Sequence, residues 1–170
     1  MKTIENTSLQ LENLHSTVEL YGWVQKKRDL GGVIFIDLRD RSGLIQLVIR
    51  PEDKCYEIAN RLKNEYVIKV KGTVQKREKE NPNMKTGKIE IAVSELEIIN
   101  TSLETPFEIK DDTTALEDTR LKYRYLDLRR QSLKEKIITR AKITRSIRNF
   151  LDSEGFIDIE TPVLCRSTPE

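Results

Sequence analysis

Residues 18–49, VELYGWVQKKRDLGGVIFIDLRDRSGLIQLVI, decide the fold. Two runs in this stretch alternate apolar and polar residues and a third comes close. Arg-Asp-Leu-Gly-Gly and Asp-Arg-Ser-Gly join them and read as turns. Over Val33–Arg39, Ile34, Ile36 and Leu38 point one way and Val33, Phe35, Asp37 and Arg39 the other, because strand side chains alternate faces. The first set is a core face; the second mixes charge with one exposed aromatic ring. Over Leu44–Arg50, Ile45, Leu47 and Ile49 take the core side, which turns Gln46 outward. Two neighbouring strands then offer a ring and an amide on one surface, with Lys26, Lys27 and Arg28 at its edge. A ring for a base to stack on, an amide to read its edge and cations for phosphate are the chemistry of a single-stranded nucleic-acid platform.

Working outward, Val18–Arg28 reads as the first strand and Arg28–Gly32 as a loop, while Pro51 ends the third strand because it cannot donate to a ladder. Glu52–Asn64 carries Cys55, Ile58, Ala59 and Leu62 at helical spacing, which predicts a short amphipathic helix with Cys55 filling the core. Tyr66–Arg77 is a fourth strand, with Tyr66, Ile68, Val70 and Val74 on one face. Glu78–Lys88, charged and broken by Pro82 and Gly87, is a loop. Ile89–Ile99 is a fifth strand, with Ile89, Ile91 and Val93 inward and Glu90 outward. Three strands, a helix and two strands is the order of an OB-fold, a five-stranded barrel. Such barrels bind oligonucleotides on the strand two–three face and through the loops joining strands one–two and four–five. Arg28 and Arg77 open those loops, Asn81 lies in the second, and Phe35 and Gln46 sit on the face. Each has a plainer reading alone, as an ordinary exposed apolar residue or solvated charge. Their coincidence on one predicted surface favours the nucleic-acid reading.

The net charge of +2 over 170 residues is uninformative, but its distribution is not. Residues 18–100 carry a net +3, residues 101–118 a net −5 and residues 119–170 a net +5. This pattern predicts two domains and an acidic linker, which together with the strand order places the barrel over 1–100, the linker over 101–118 and a second domain from 119. Cys55 and Cys165 form no CxxC pair and His15 is the single histidine, so no zinc site is expected. With no signal peptide and no apolar run of membrane-spanning length, the expected setting is a reducing cytoplasm.

Residues 1–17 read as a polar lead-in. Thr119–Arg130, TRLKYRYLDLRR, fits either a helix with ordinary charge pairs or a nucleic-acid contact. Ser132-Leu133-Lys134-Glu135 fits a capping box, and Leu133, Ile137, Ala141, Ile147 and Leu151 fall near one stripe that ends before Gly155. Phe156–Leu164 alternates like a strand, and Pro162 marks it as an edge or interface. One helix and one strand bury no core unaided, so residues 119–170 are expected to be loosely packed or to self-associate.

Three stretches, GWVQKKRDLGGVIFIDLRDRSGLIQLV, TRLKYRYLDLRR and RAKITRSIRNFLDSEGFIDIETPVLCRSTPE, resemble the bacterial-type aspartyl-tRNA synthetases, with the related asparaginyl and lysyl enzymes sharing the architecture. The resemblance implies a mainly β chain with α elements. Its parts would be an N-terminal OB-fold that binds the tRNA anticodon (1–100), a hinge (101–118), and the opening of a class II catalytic domain (119–170). The helix and strand there resemble motif 1, which in the family builds the homodimer interface around Pro162. The family's anticodon contacts fall on Arg28, Phe35, Gln46, Arg77, Asn81 and Glu90. Phe35 would stack on a base, Gln46 read the central uracil and Glu90 accept hydrogen bonds from the first-position guanine. Glu170 resembles the glutamate of a mobile loop that closes over the amino acid's ammonium group.

Motifs 2 and 3, which in the family hold ATP and Mg2+, have no counterpart here, so no catalytic and no metal residue is assigned. The expectation is an N-terminal part of an aspartate–tRNA ligase that binds the anticodon arm, binds no cofactor itself and does not aminoacylate alone. ATP and Mg2+ would belong to the parent enzyme. A membrane or DNA partner is not expected. Two other classes compete: a free-standing tRNA- or single-strand-binding OB protein, and a protein-interaction or dimerisation piece built on the helix that starts at Ser132.

Overall fold

Alternating apolar side chains close five strands into a barrel. The computed structural model describes residues 4–164, 166 and 167. The strands are β1 (Thr17–Leu30), β2 (Val33–Arg39), β3 (Leu44–Ile49), β4 (Val67–Lys76) and β5 (Ile89–Asn100), with helix α1 (Tyr56–Arg61) between β3 and β4. They follow one another round the barrel as β1-β2-β3-β5-β4, with β4 pairing back to β1. Only β3 and β5 run parallel; the remaining pairs are antiparallel. The predicted OB-type, mainly β architecture is what the chain forms. Ile34, Ile36, Leu38, Ile45, Leu47, Ile49, Ile68, Val70, Val74, Ile89 and Ile91 fill the interior.

Closure demands close backbone approach at two glycines. A Cβ on Gly22 would lie 2.4 Å from the Arg39 carbonyl oxygen, and one on Gly72 would lie 2.4 Å from that of Ala92. Larger residues at either site would push neighbouring strands apart.

Several expectations change. β1 runs on to Leu30, because Gly31 and Gly32, at φ 63° and 88°, turn the chain in two residues. Arg28 therefore stands inside a strand opposite Phe35 instead of opening a loop. Helix α1 is shorter than predicted, burying Ala59 itself while Cys55 and Leu62 flank its ends in the core and Ile58 stays exposed. The polar lead-in is a plug. Asn6 is buried and donates its amide N–H to the Leu38 carbonyl at 3.0 Å, its backbone N–H reaches Asp40 Oδ2 at 2.7 Å, and Leu9 joins the core. Burial pushes the Asp40 carboxyl up, but hydrogen bonds from Ser42, Asn6 and Gly43 outweigh it and hold it below the usual carboxylate range.

The chain divides into two compact units, Met1–Glu104 and Thr105–Glu170. The second contains α2 (Glu117–Lys122), α3 (Arg124–Asp127) and α4 (Gln131–Ser153). Its arginine-rich segment is organised by one carboxylate. Asp127 is fully buried, with Arg130 Nε at 2.8 Å, Arg124 Nη1 at 2.5 Å and Arg120 Nη1 at 3.9 Å. Of the two readings open for this segment, the structure supports charge pairing for these three arginines.

The capping box does not form. Ser132 Oγ instead donates to Asp111 Oδ1 at 2.6 Å, and Glu135 accepts from Gln131. Asp111 thus caps α4 from a distant stretch of chain, and the hydrogen bonds from Ser132 lower its carboxyl's pKa. Residues 156–164 are not a strand, because an alternating sequence still needs a ladder and the described residues supply no partner. Pro162 accordingly lies in irregular chain. No residue of α4 is buried, and Ile137, Ile143, Ile147 and Phe150 face outward.

Candidate nucleic-acid interface

Strand register sorts the outward residues of the barrel into rows. In one, Asp37 of β2 lies opposite Gln46 of β3, Gln46 beside Glu90 of β5, and Glu90 opposite Gln75 of β4. The adjacent row runs Arg28, Phe35, Val48 and Ala92. Val48 is only 3% exposed yet stands outside the core cluster, so it floors the outer face beside the half-buried Phe35. A flat apolar patch therefore borders a polar strip, the pairing that a base needs for its face and its edge.

The polar strip is a connected network. Gln46 Nε2 donates to Glu90 Oε2 at 2.8 Å, and Gln75 Nε2 donates to Glu90 Oε1 at 2.8 Å. Arg77 Nη2 donates to Gln46 Oε1 at 2.7 Å. Gln46 and Glu90 point away from the core but are 5% and 7% exposed, because their neighbours cover them. Each keeps unused capacity: one N–H and one lone pair on the Gln46 amide, and further lone pairs on Glu90. The strip is thus oriented internally, with hydrogen-bonding capacity left over.

Around it, cations are already held in place. Arg28 pairs with Asp37 at 2.6 Å. Arg39 makes two contacts to Glu65, at 3.1 and 2.9 Å, bonds Gln25, and lies over the Trp23 ring at 5.9 Å. Asn81 shapes the β4–β5 loop: its Oδ1 accepts from the Asn83 N–H at 3.0 Å, and its backbone N–H donates to the Gly87 carbonyl at 3.0 Å. Thr86 ties that loop to the barrel by donating to the Leu44 carbonyl at 2.6 Å.

The structure thus brings Phe35, Gln46, Arg77 and Glu90 together on one face, with Arg28 beside Phe35 and Asn81 in the adjoining loop. Glu170 and Cys165 lie outside the described residues. Sequence reasoning passed over Gln75, Asp37 and Thr86. Gln75 had a signal, since it follows the inward Val74, but its partner depends on register. Among the described residues no three His, Cys, Asp or Glu side chains gather as a metal ion would require. No helix among them is long and apolar enough to cross a membrane.

A family described as "OB-fold nucleic acid binding domain" matches residues 18–99, and one described as "tRNA synthetases class II (D, K and N)" matches residues 116–170. The aspartate–tRNA ligase of Streptococcus pyogenes serotype M1 is 55% identical over 162 residues, which is 94% of this chain. By sequence, the chain is a homologue of the aspartate–tRNA ligases. It spans 28% of the length of that relative. In fold it is similar to the aspartyl-tRNA synthetase of Entamoeba histolytica, with TM-score 0.86 and 21% identity, over 96% of this chain and 40% of that one. The asparaginyl-tRNA synthetase of Pyrococcus horikoshii, complexed with asparaginyl-adenylate, follows at TM-score 0.80 and 24% identity, over 96% of this chain and 37% of that one.

Proposed function

We propose that the barrel binds the anticodon arm of a tRNA, as the anticodon-reading part of an enzyme that joins aspartate to tRNA. The observation that carries this reading is the half-buried Phe35 ring beside the Arg77–Gln46–Glu90–Gln75 strip on an OB barrel. A base stacked on Phe35 would bring its neighbours' edges over Gln46 and Glu90. A uracil pairs with one amide donor and one acceptor, and a guanine presents two adjacent N–H donors to a carboxylate. Arg28 and Arg77 would meet phosphate or base, and Asn81 would set the loop beside them.

In the whole enzyme ATP would activate aspartate to aspartyl-adenylate, with Mg2+, before transfer to the tRNA's terminal ribose. Among the described residues no three His, Cys, Asp or Glu side chains gather to hold a metal ion, and no step of that chemistry is assigned to them. Glu170 would contact the amino acid. The region around Pro162 and the exposed face of α4 would lie against a second subunit, and the setting would be the cytoplasm. That uncovered apolar face also argues against a free-standing binding module.

Binding of the 170-residue chain to a stem-loop carrying GUC, compared at fixed salt with one altered at the central uracil, tests the reading. Phe35→Ala is expected to weaken GUC binding by roughly 1–3 kcal/mol, the worth of one stacked base. Equal, weak binding to both loops would reduce the barrel to a non-selective electrostatic surface.

A further inference from the structure

A glutamine amide is ambivalent as a reader of pyrimidines. Uracil offers N3–H as donor and O4 as acceptor; cytosine, in the same pose, offers N3 as acceptor and N4–H as donor. Rotating the amide by half a turn exchanges its own donor and acceptor, so an unconstrained glutamine accepts either base. Discrimination requires something that holds the amide one way round.

In this barrel that constraint is present. Arg77 donates to Gln46 Oε1, and Glu90 accepts from Gln46 Nε2. Flipping the amide would set its NH2 against a guanidinium and its oxygen against a carboxylate, both repulsive at 2.7–2.8 Å. The Glu90 side of the clamp depends on where its carboxylate points. Gln75 holds Oε1 at 2.8 Å, which leaves Oε2 facing Gln46.

We infer that Gln75 is a specificity-determining positioning residue: by anchoring Glu90 it fixes the Gln46 amide in one orientation, and so selects uracil over cytosine without touching the base. The inference rests on the base reading proposed above and deepens it. It assigns to β4, through a residue one strand removed from Gln46, part of the choice between pyrimidines. Overall affinity belongs to Phe35 and the cations instead.

The test uses the whole chain and two stem-loops that differ only in a central uracil or cytosine, at one salt concentration. The wild-type chain is expected to prefer uracil by about tenfold or more, as one good bidentate contact provides. Gln75→Leu, which keeps the bulk and removes the donor, is expected to lower that ratio by roughly fivefold, mainly by tightening cytosine binding. Gln75→Lys restores a donor to Glu90 and is expected to restore the ratio, whatever its added charge does to both affinities together. An unchanged ratio in Gln75→Leu overturns the inference, as does equal weakening of both loops, which is what a loosened barrel would give. Absence of uracil preference in the wild-type chain would overturn the base reading itself, a failure distinguishable from the first.

Discussion

Glu90 in the barrel and Asp127 in the second unit are both buried carboxylates, 7% and 0% exposed, and their neighbours differ in charge. Asp127 faces three guanidinium groups, from Arg120, Arg124 and Arg130. Its charge is neutralised inside the protein and the arginines are occupied by it, so the cluster holds α2, α3 and the start of α4 together. The described hydrogen bonds to Glu90 come from two neutral amides, Gln46 and Gln75. They orient its oxygens without cancelling its charge. A carboxylate held in place without a cationic partner keeps lone pairs for further donors, whereas one ringed by guanidinium groups does not.

The largest effect that would break this comparison is on Asp127. Asp127→Ala leaves three arginines facing a cavity, and removing one partner of a buried ion pair costs about 3–5 kcal/mol. Loss of amide-exchange protection across α2 and α3 is expected, with protection of the barrel strands and stem-loop binding retained. Persistence of that protection would show the cluster to be solvated surface charge.

Glu90→Gln sharpens the other half. It keeps the shape and removes the charge, so binding of a loop with guanine at the first anticodon position should weaken by roughly 1.5–3 kcal/mol, the worth of a hydrogen bond to a charged group. A loop with another base there should lose less. Because one oxygen that now accepts from the Gln46 or Gln75 amide becomes a donor, thermal stability should fall by about 1–3 kcal/mol, less than in Asp127→Ala. A fall in stability equal to that of Asp127→Ala would erase the distinction.

The smallest effect concerns acid. The Asp40 carboxyl is held below its ordinary range, so it contributes stability that is fully present above that range and is lost as pH falls through the lowered value. Asp40→Asn should flatten this part of the barrel's acid-unfolding curve by on the order of 1 kcal/mol, about one net hydrogen bond. The amides of residues 6–9 are where the loss should appear first. An identical acid curve for the variant would move the acid sensitivity elsewhere.

Glu90 and Asp127 also mark how far the site could be read in advance. Phe35 and Gln46 were visible because strand alternation alone decides which side chains leave the core. Glu90 was visible as outward but looked like solvated charge, since nothing local says that Gln46 lies beside it 44 residues earlier. Asp127 was invisible as a buried group inside a run of arginines, because local spacing does not tell an ion-paired helix turn from a basic patch. Ser132 and Glu135 satisfied the pattern of a capping box, yet Asp111, 21 residues upstream, offered a charged acceptor and took the serine.

The sequence by itself determined the barrel. Period-two alternation in five runs, a glycine pair between the first two and a proline after the third leave few ways to bury so many isoleucines, leucines and valines. It also determined the aspartate–tRNA ligase kinship, which 55% identity expresses. Tertiary structure alone decided the rest: that Gln75 anchors Glu90, that Arg77 and Glu90 clamp Gln46, that residues 6–9 plug the barrel, and that three arginines serve one aspartate. The physical reason is range. Alternation is a property of adjacent residues, whereas hydrogen-bond partners are set by the register between strands, which exists only once the barrel has closed.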